Sequence, residues 1–329
     1  MSGAVWMAGA RRTPVAPRGG AFAGLDAHRI GAAPITALVD DLGLPADAVG
    51  CVIFGNGVYG GGNPARLSAL AAGLPETVPA MTIDTQCCGG LDAIHLAHSL
   101  VASGAHEFVL AGGVESYSAA PRRFRRSAAG EADVEYQRPP FSPWPGRDPD
   151  MLEAAALLAR QMGITRAEQE AFACRSHADA LAARERLAAE CVPLGGLAHD
   201  AFTRRIGPKL CARLPVLAGD DAHGLTTATT AVEADAGAVC AIVSDGFLAA
   251  HPHLKPRAIR VAGGLSLGDE AQKNVVLTES QNAIEQITSL LNTQVNGVHI
   301  FGGVNTASAP MAARVRLSRW RPALAMSAA

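Results

Sequence analysis

The stretch TIDTQCCGGLDAI, residues 82–94, sets two thiols side by side, Cys87 and Cys88. A β-branched approach precedes them, and two glycines open a helical pattern behind them. Thiolate is the reactive form of cysteine, and its attack on a thioester splits one hard acyl transfer into two easier steps. Where a strand turns sharply into a helix, the last strand side chain stands at the helix N-terminus. Unsatisfied backbone N–H groups there favour negative charge. Gly89 and Gly90 permit a tight turn and leave room for a thioester. The arrangement makes one of these two thiols a candidate nucleophile.

The other five cysteines, Cys51, Cys174, Cys191, Cys211 and Cys240, are scattered and read as small buried hydrophobes. An odd total of seven, with no C-x-x-C spacing, argues against a disulfide framework or a zinc site. Among the histidines, His223 in DDAHGLTT stands out as a base candidate, set against the ordinary surface role of this residue. His95 and His98 fall in the helix behind the cysteines and read as surface or packing residues. PRRFRRS places Arg122, Arg123, Arg125 and Arg126 in the most basic local patch. GVYGGGNPAR lacks the spacings of a nucleotide-phosphate loop, so no nucleotide is assigned there.

These residues need a scaffold. The chain has 329 residues, 49% hydrophobic and 18% charged, with net charge −2. A large core is affordable to such a chain, disorder is disfavoured, and no field points to nucleic acid or an anionic membrane. No signal-like segment and no long apolar run is present, so a cytoplasmic protein without a membrane span is expected. Strand-like AVWMAGARR, VGCVIFG, PAMTI and EFVLAGGVE alternate with helix-like stretches. That alternation predicts a mostly parallel sheet covered on both faces. In the helix after the cysteines, Leu91, Ile94, Leu100 and Val101 are expected to face inward. Residues 119–150, rich in Arg, Pro and Gly, read as an irregular excursion. Thr165 and Glu168 have capping-box spacing. Further on, AGAVCAIVS, RAIRVAGGLS and GVHIFGGVN read as strands, ESQNAIEQITSLLNTQ as a helix, and APMAARVRLSRW as a basic helix.

FGNGVYGGGNPARLSALAAGLPETVPAMTIDTQCCGG resembles the segment that precedes and holds the nucleophilic cysteine of thiolases. AGGVESYS is similar to their A-G-G-x-E-S-M-S turn. MGITRAEQEAFACRSHADALAA is similar to the helical part of their loop domain, and LTTATTAVEADAGAVCAIVSD to the segment that re-enters the first half. The likeness runs from about residue 3 to residue 245. It implies an α/β fold of two similar βαβαβαββ halves in five layers, α-β-α-β-α, with a loop domain inserted in the first. The corresponding division is 1–120 for the N-terminal half, 121–224 for the loop domain, 225–247 for the return of the first half, and 248–329 for a shortened, incomplete second half.

On the thiolase register Cys87 is the nucleophile and Cys88 a residue packed against the sheet. The backbone N–H of Cys87 or of its neighbours Cys88 and Gly89 would supply an oxyanion donor. The resemblance implies a thioester of coenzyme A, or of a carrier protein, as substrate, no further cofactor and no metal. It also implies a dimer, with a second copy or with another thiolase-like chain. Arg122, Arg123 and Arg125 are candidates for the coenzyme A phosphates, since guanidinium suits bidentate phosphate contacts; a solvated face or a dimer rim is the other reading of that patch. The sequence contains no G-H-P motif and no cysteine after Cys240, so the usual histidine and second cysteine of thiolases have no counterpart. Asn305 in GGVNTASA takes the place of the asparagine that holds a catalytic water. A second register sets Val304 in the histidine position. Two functions follow as expectations: a thiolase-like acyltransferase working through an acyl-cysteine, or a non-catalytic or weakly active subunit paired with a complete homologue.

Overall fold

The computed structural model describes residues 4–258, residue 60 excepted, together with residues 294–295 and 298–299. The chain divides into two compact units, residues 1–263 and 264–329. In the first, the strands are β1 (Val5–Arg12), β2 (Ala16–Pro17), β3 (Cys51–Gly55), β4 (Ala80–Ile83), β5 (Phe108–Glu115), β6 (Arg123–Arg125), β7 (Val134–Tyr136), β8 (Ala234–Ser244) and β9 (Arg257–Ala258). The helices are α1 (Ala27–Leu42), α2 (Pro64–Ala71), α3 (Gly89–Ala102), α4 (Met151–Met162), α5 (Arg166–Ala182), α6 (Arg184–Ala188), α7 (Pro208–Cys211) and α8 (Asp245–Ala250). In the second unit, β10 (Gln294–Val295) and β11 (Val298–His299) form an antiparallel pair.

The main sheet runs β4-β3-β5-β8-β1-β9, with β2 also on β8. β4, β3 and β5 are parallel, as strands joined by crossover helices must be. The expected mostly parallel sheet needs correction at its centre. β8 lies between β5 and β1 and is antiparallel to both. It returns from the long excursion after β5 rather than through a single crossover helix, so no βαβ rule fixes its direction.

Strand periodicity divides the core between two faces. Val52 and Phe54 of β3, Phe108 and Leu110 of β5, and Val239 and Ala241 of β8 pack with Ile30, Ile35 and Leu38 of α1 and Ala65 and Ala69 of α2. Cys51, Ile53, Val109, Ala111, Cys240 and Ile242 face the other way, onto α3. There the buried stripe is Ala93, Ala97 and Val101, and Leu91 is exposed, contrary to its expected inward position. Small residues at this spacing let α3 lie close to the sheet, and larger side chains are displaced to its flanks.

Residues 119–150, read as irregular, contain the β6–β7 hairpin. The capping box at Thr165 and Glu168 forms as expected. The helix read over residues 279–294 lies outside the described residues except for Gln294, which is in β10. The basic stretch 309–320 lies outside them altogether.

Arg12 at the end of β1 ties the sheet to the segment after α6. Its guanidinium pairs with Asp200 at 2.7 and 3.1 Å and with Glu190 at 2.9 Å. Val15 N–H also donates to Asp200, at 2.9 Å. Burial pushes the Asp200 carboxyl up, but the bonds from Arg12 and Val15 outweigh it and hold the net value below the ordinary aspartate range. A carboxyl depressed in the folded state stabilises the fold above its unfolded value of about 3.9, and that contribution disappears as pH falls through the folded value. The difference in urea midpoint between wild type and Asp200→Asn is therefore expected to be full at pH 6 and to shrink below about pH 4. A difference independent of pH in that window would remove the Arg12 pairing as its cause.

Candidate active site

β4 ends at Ile83, and a 3-10 turn, Gln86–Cys88, leads into α3. Gln86 has φ 56°, the one non-glycine residue with positive φ among those described. That conformation is disfavoured for a side chain with a Cβ. Asp84 supports it by accepting the Gln86 N–H at 2.9 Å. The strained residue stands directly before Cys87 and aims that side chain outward from the strand-to-helix turn. Cys87 is exposed and lines a cavity of about 980 Å³.

Two of the three candidate donors at this turn are already engaged. The Gly89 N–H bonds to the carbonyl of Gln86, and the Cys88 N–H to the carbonyl of Thr85 at 3.3 Å. Both of these groups, expected as oxyanion donors, already have acceptors. The N–H of Cys87 itself has none among the described residues. Cys88 is also exposed rather than packed on the sheet. It is the N-cap of α3, and the sheet-facing place belongs to Gly89, whose backbone meets Gly55.

The loop after β3 and the end of β5 form the wall beside Cys87. Asn56 donates to the Val114 carbonyl at 2.8 Å and to the Glu115 carboxylate at 3.0 Å. The same carboxylate accepts the N–H groups of Gly57 at 3.0 Å, Val58 at 2.9 Å and Ser116 at 3.2 Å. Sequence reading singled out neither Asn56 nor Glu115 for this. The signal was present in F-G-N and A-G-G-x-E, two short polar endings of buried strands that are neighbours in the sheet.

Tyr117 lines the same cavity. Burial, then the charges of Glu115, Glu233 and Cys87, raise its pKa above that of an ordinary phenol. Its hydroxyl therefore stays protonated at neutral pH. It too was missed, although AGGVESYS carries tyrosine where the thiolase pattern quoted above has methionine.

Arg122 and Arg123 also line the cavity. Arg122 pairs with Glu135 at 2.9 Å and lies over the Phe124 ring at 5.2 Å. Arg123 donates to the Val58 carbonyl. Arg125 is not in the cavity wall; it stacks over Tyr136 at 5.6 Å. His223 is apart from Cys87, in the turn before Leu225. Its ring nitrogen is 3.2 Å from Asp220, and its carbonyl accepts from Gln169 of α5 at 2.9 Å. Among the described residues no histidine lines the Cys87 cavity. Asn305 and Val304 lie outside the described residues.

An α/β sheet covered on both faces, with a cysteine on a strained strand-to-helix turn at the mouth of a cavity, defines a scaffold for thiol chemistry. Residues 5–246 match the family model described as thiolase, N-terminal domain. The chain belongs to the thiolase family. It is 36% identical over 211 residues to an acetyl-CoA acetyltransferase of Thiocystis violacea, an alignment covering 59% of this chain and 52% of that protein. The crystal structure of the Bacillus anthracis acetyl-CoA acetyltransferase is similar to it with TM-score 0.68 and 28% identity, over 78% of this chain and 68% of that one. The chain spans about half the length of the curated relatives it matches. No helix among the described residues is long and apolar enough to cross a membrane.

Proposed function

We propose that this chain carries out the acyl-loading step of a thiolase-type acyltransferase. The thioester of coenzyme A, or of a carrier protein, enters the cavity with its carbonyl carbon at the Cys87 sulfur. Attack gives a tetrahedral oxyanion. The free N–H of Cys87 is the available backbone donor for it, and removal of one such donor costs about 10²-fold or more in acyl-transfer enzymes. Collapse of the intermediate forms the acyl-cysteine and expels the thiol of the carrier. Arg122 and Arg123 stand in the same wall as cationic side chains available to its phosphates. Tyr117 is a neutral hydrogen-bond donor in that wall.

The observation that carries this reading is the aim of Cys87 into the cavity from a turn whose strained residue, Gln86, is held by Asp84. Condensation would further require a base for the α carbon and donors for an enolate. With no histidine in the described cavity wall, the reading is confined to acyl loading, and a second thiolase-like chain in a dimer is the proposed source of the remaining groups.

Incubation with acetyl-CoA, followed by mass spectrometry, is expected to show one acetyl group on the peptide containing Cys87, and none on that peptide in Cys87→Ala. An unmodified wild type, or an equal adduct in the variant, would sink the proposal.

A further inference from the structure

Away from the cavity, two more thiols meet. Cys174, on α5, is half-buried, and Cys211, the last residue of α7, is fully buried. Their sulfurs are 3.6 Å apart. Neither lines the Cys87 cavity, and sequence reading had taken both as isolated packing residues, because 37 positions separate them.

The backbone beside this pair is pinned. The Arg166 guanidinium donates to the carbonyls of Cys211 at 3.1 Å and Leu214 at 2.8 Å. Its Nε is held by Glu170 at 2.7 Å, one helical turn before Cys174. A disulfide bond is about 2.05 Å long. The sulfurs thus need to approach by roughly 1.5 Å, within reach of side-chain rotation on a backbone that already holds them in contact.

We propose that Cys174 and Cys211 are a redox-modification site, joined in a disulfide by a two-electron oxidant of the hydroperoxide class, independently of Cys87. Cys174 is the accessible sulfur and meets the oxidant first. Its sulfur attacks one peroxide oxygen and the O–O bond breaks. With hydrogen peroxide the products are Cys174 sulfenic acid and one water. The Cys211 sulfur then attacks the sulfenic sulfur, the S–O bond breaks, and a second water leaves with the Cys211 proton. Two thiols have lost two electrons, and the peroxide has gained them. Burial, and then the hydrogen bond with Cys174, push the Cys211 thiol up to about 11, which fits its place as the second, contact-driven partner rather than the initial target. The bond would close a loop around α6 and Asp200, the residue that holds Arg12 of β1.

The test uses the whole chain, treated with hydrogen peroxide, freed of peroxide, denatured, blocked with iodoacetamide and digested with trypsin. The expected result is a disulfide-linked pair of peptides, 167–175 with 210–213, the loss of both from the alkylated pool, and their recovery after dithiothreitol. Cys87→Ser is expected to give the same cross-link. Cys211→Ala is expected to trap Cys174 as a sulfenic acid that reacts with dimedone. Both peptides remaining alkylatable at a dose that fully oxidises Cys87 would overturn the proposal. So would a cross-link of Cys174 to any other cysteine, or one that vanishes in Cys87→Ser.

Discussion

Glu115→Ala is expected to destabilise the chain by about 3 kcal/mol, since hydrogen bonds to an ionised group contribute roughly 1.5–3 kcal/mol each and are not additive. The Glu115 carboxylate is the common acceptor for four donors, from Asn56, Gly57, Val58 and Ser116. Asn56 is buried and has a second acceptor in Val114. The N–H groups of Gly57 and Val58 have no such alternative among the described residues. Truncation would leave them unpaired in a half-buried wall, which is the costly way to lose a hydrogen bond. A fall in Tm of roughly 5 °C should accompany it.

Glu115→Gln retains the shape but turns an amide NH2 against N–H donors, so an intermediate loss is expected. Asn56→Ala combined with Glu115→Ala should cost less than the sum of the single changes, because the two side chains share one network. Urea unfolding of the four proteins checks the ordering. A Glu115→Ala variant within about 0.5 kcal/mol of wild type would show that the clamp does not hold the loop, as surface changes normally stay in that range.

Most of the scaffold could be read from the sequence because its physics is local. The capping box at Thr165, the left-handed Gly43 after α1, and the continuously buried apolar runs of β3 and β5 all follow from residues within a few positions of one another. Cys87 was legible for the same reason, since the strand, thiols and glycines are contiguous. What escaped was set by residues far apart in the chain. β8 enters the sheet antiparallel after more than a hundred residues, and nothing in its own composition gives its direction. The Glu115 clamp joins two strand ends separated by two crossovers, through α2, β4 and α3. Cys174 and Cys211 meet where Arg166 bonds the α7 segment to α5. The inward stripe of α3 was read correctly at Val101, with Ile94 and Leu100 packed against the same cluster, and missed at Leu91, because the close approach of the first turn to β3 leaves room there only for small residues.

That close approach gives the sharpest expectation about the site. Gly55→Ala should lose about 4 kcal/mol, at the upper end of single substitutions, because the obstruction is backbone rather than side chain. A Cβ on Gly55 would lie 2.3 Å from the carbonyl carbon of Gly89 and 2.6 Å from the nitrogen of Gly90. No rotamer change relieves such a contact. Either the end of β3 or the first turn of α3 must move, and the 3-10 turn that carries Cys87 leads directly into α3. On Gly89 a Cβ would meet the Gly55 Cα at 3.0 Å, a lesser conflict; on Gly90 it would reach only Gly112 at 3.9 Å, an ordinary contact. The expected order of destabilisation is therefore Gly55→Ala, then Gly89→Ala, with Gly90→Ala neutral or stabilised by up to about 1 kcal/mol from helix propensity. Acyl loading and stability read together separate Gly55→Ala from Gly90→Ala. Gly55→Ala should slow it by displacing the thiol. Gly90→Ala should slow it while the fold stays intact, because Gly90 lines the cavity beside Cys87 and a methyl group there takes space from the thioester. Equal urea midpoints for Gly55→Ala and Gly90→Ala would mean that α3 and β3 are not in backbone contact, and the placement of Cys87 would need another cause.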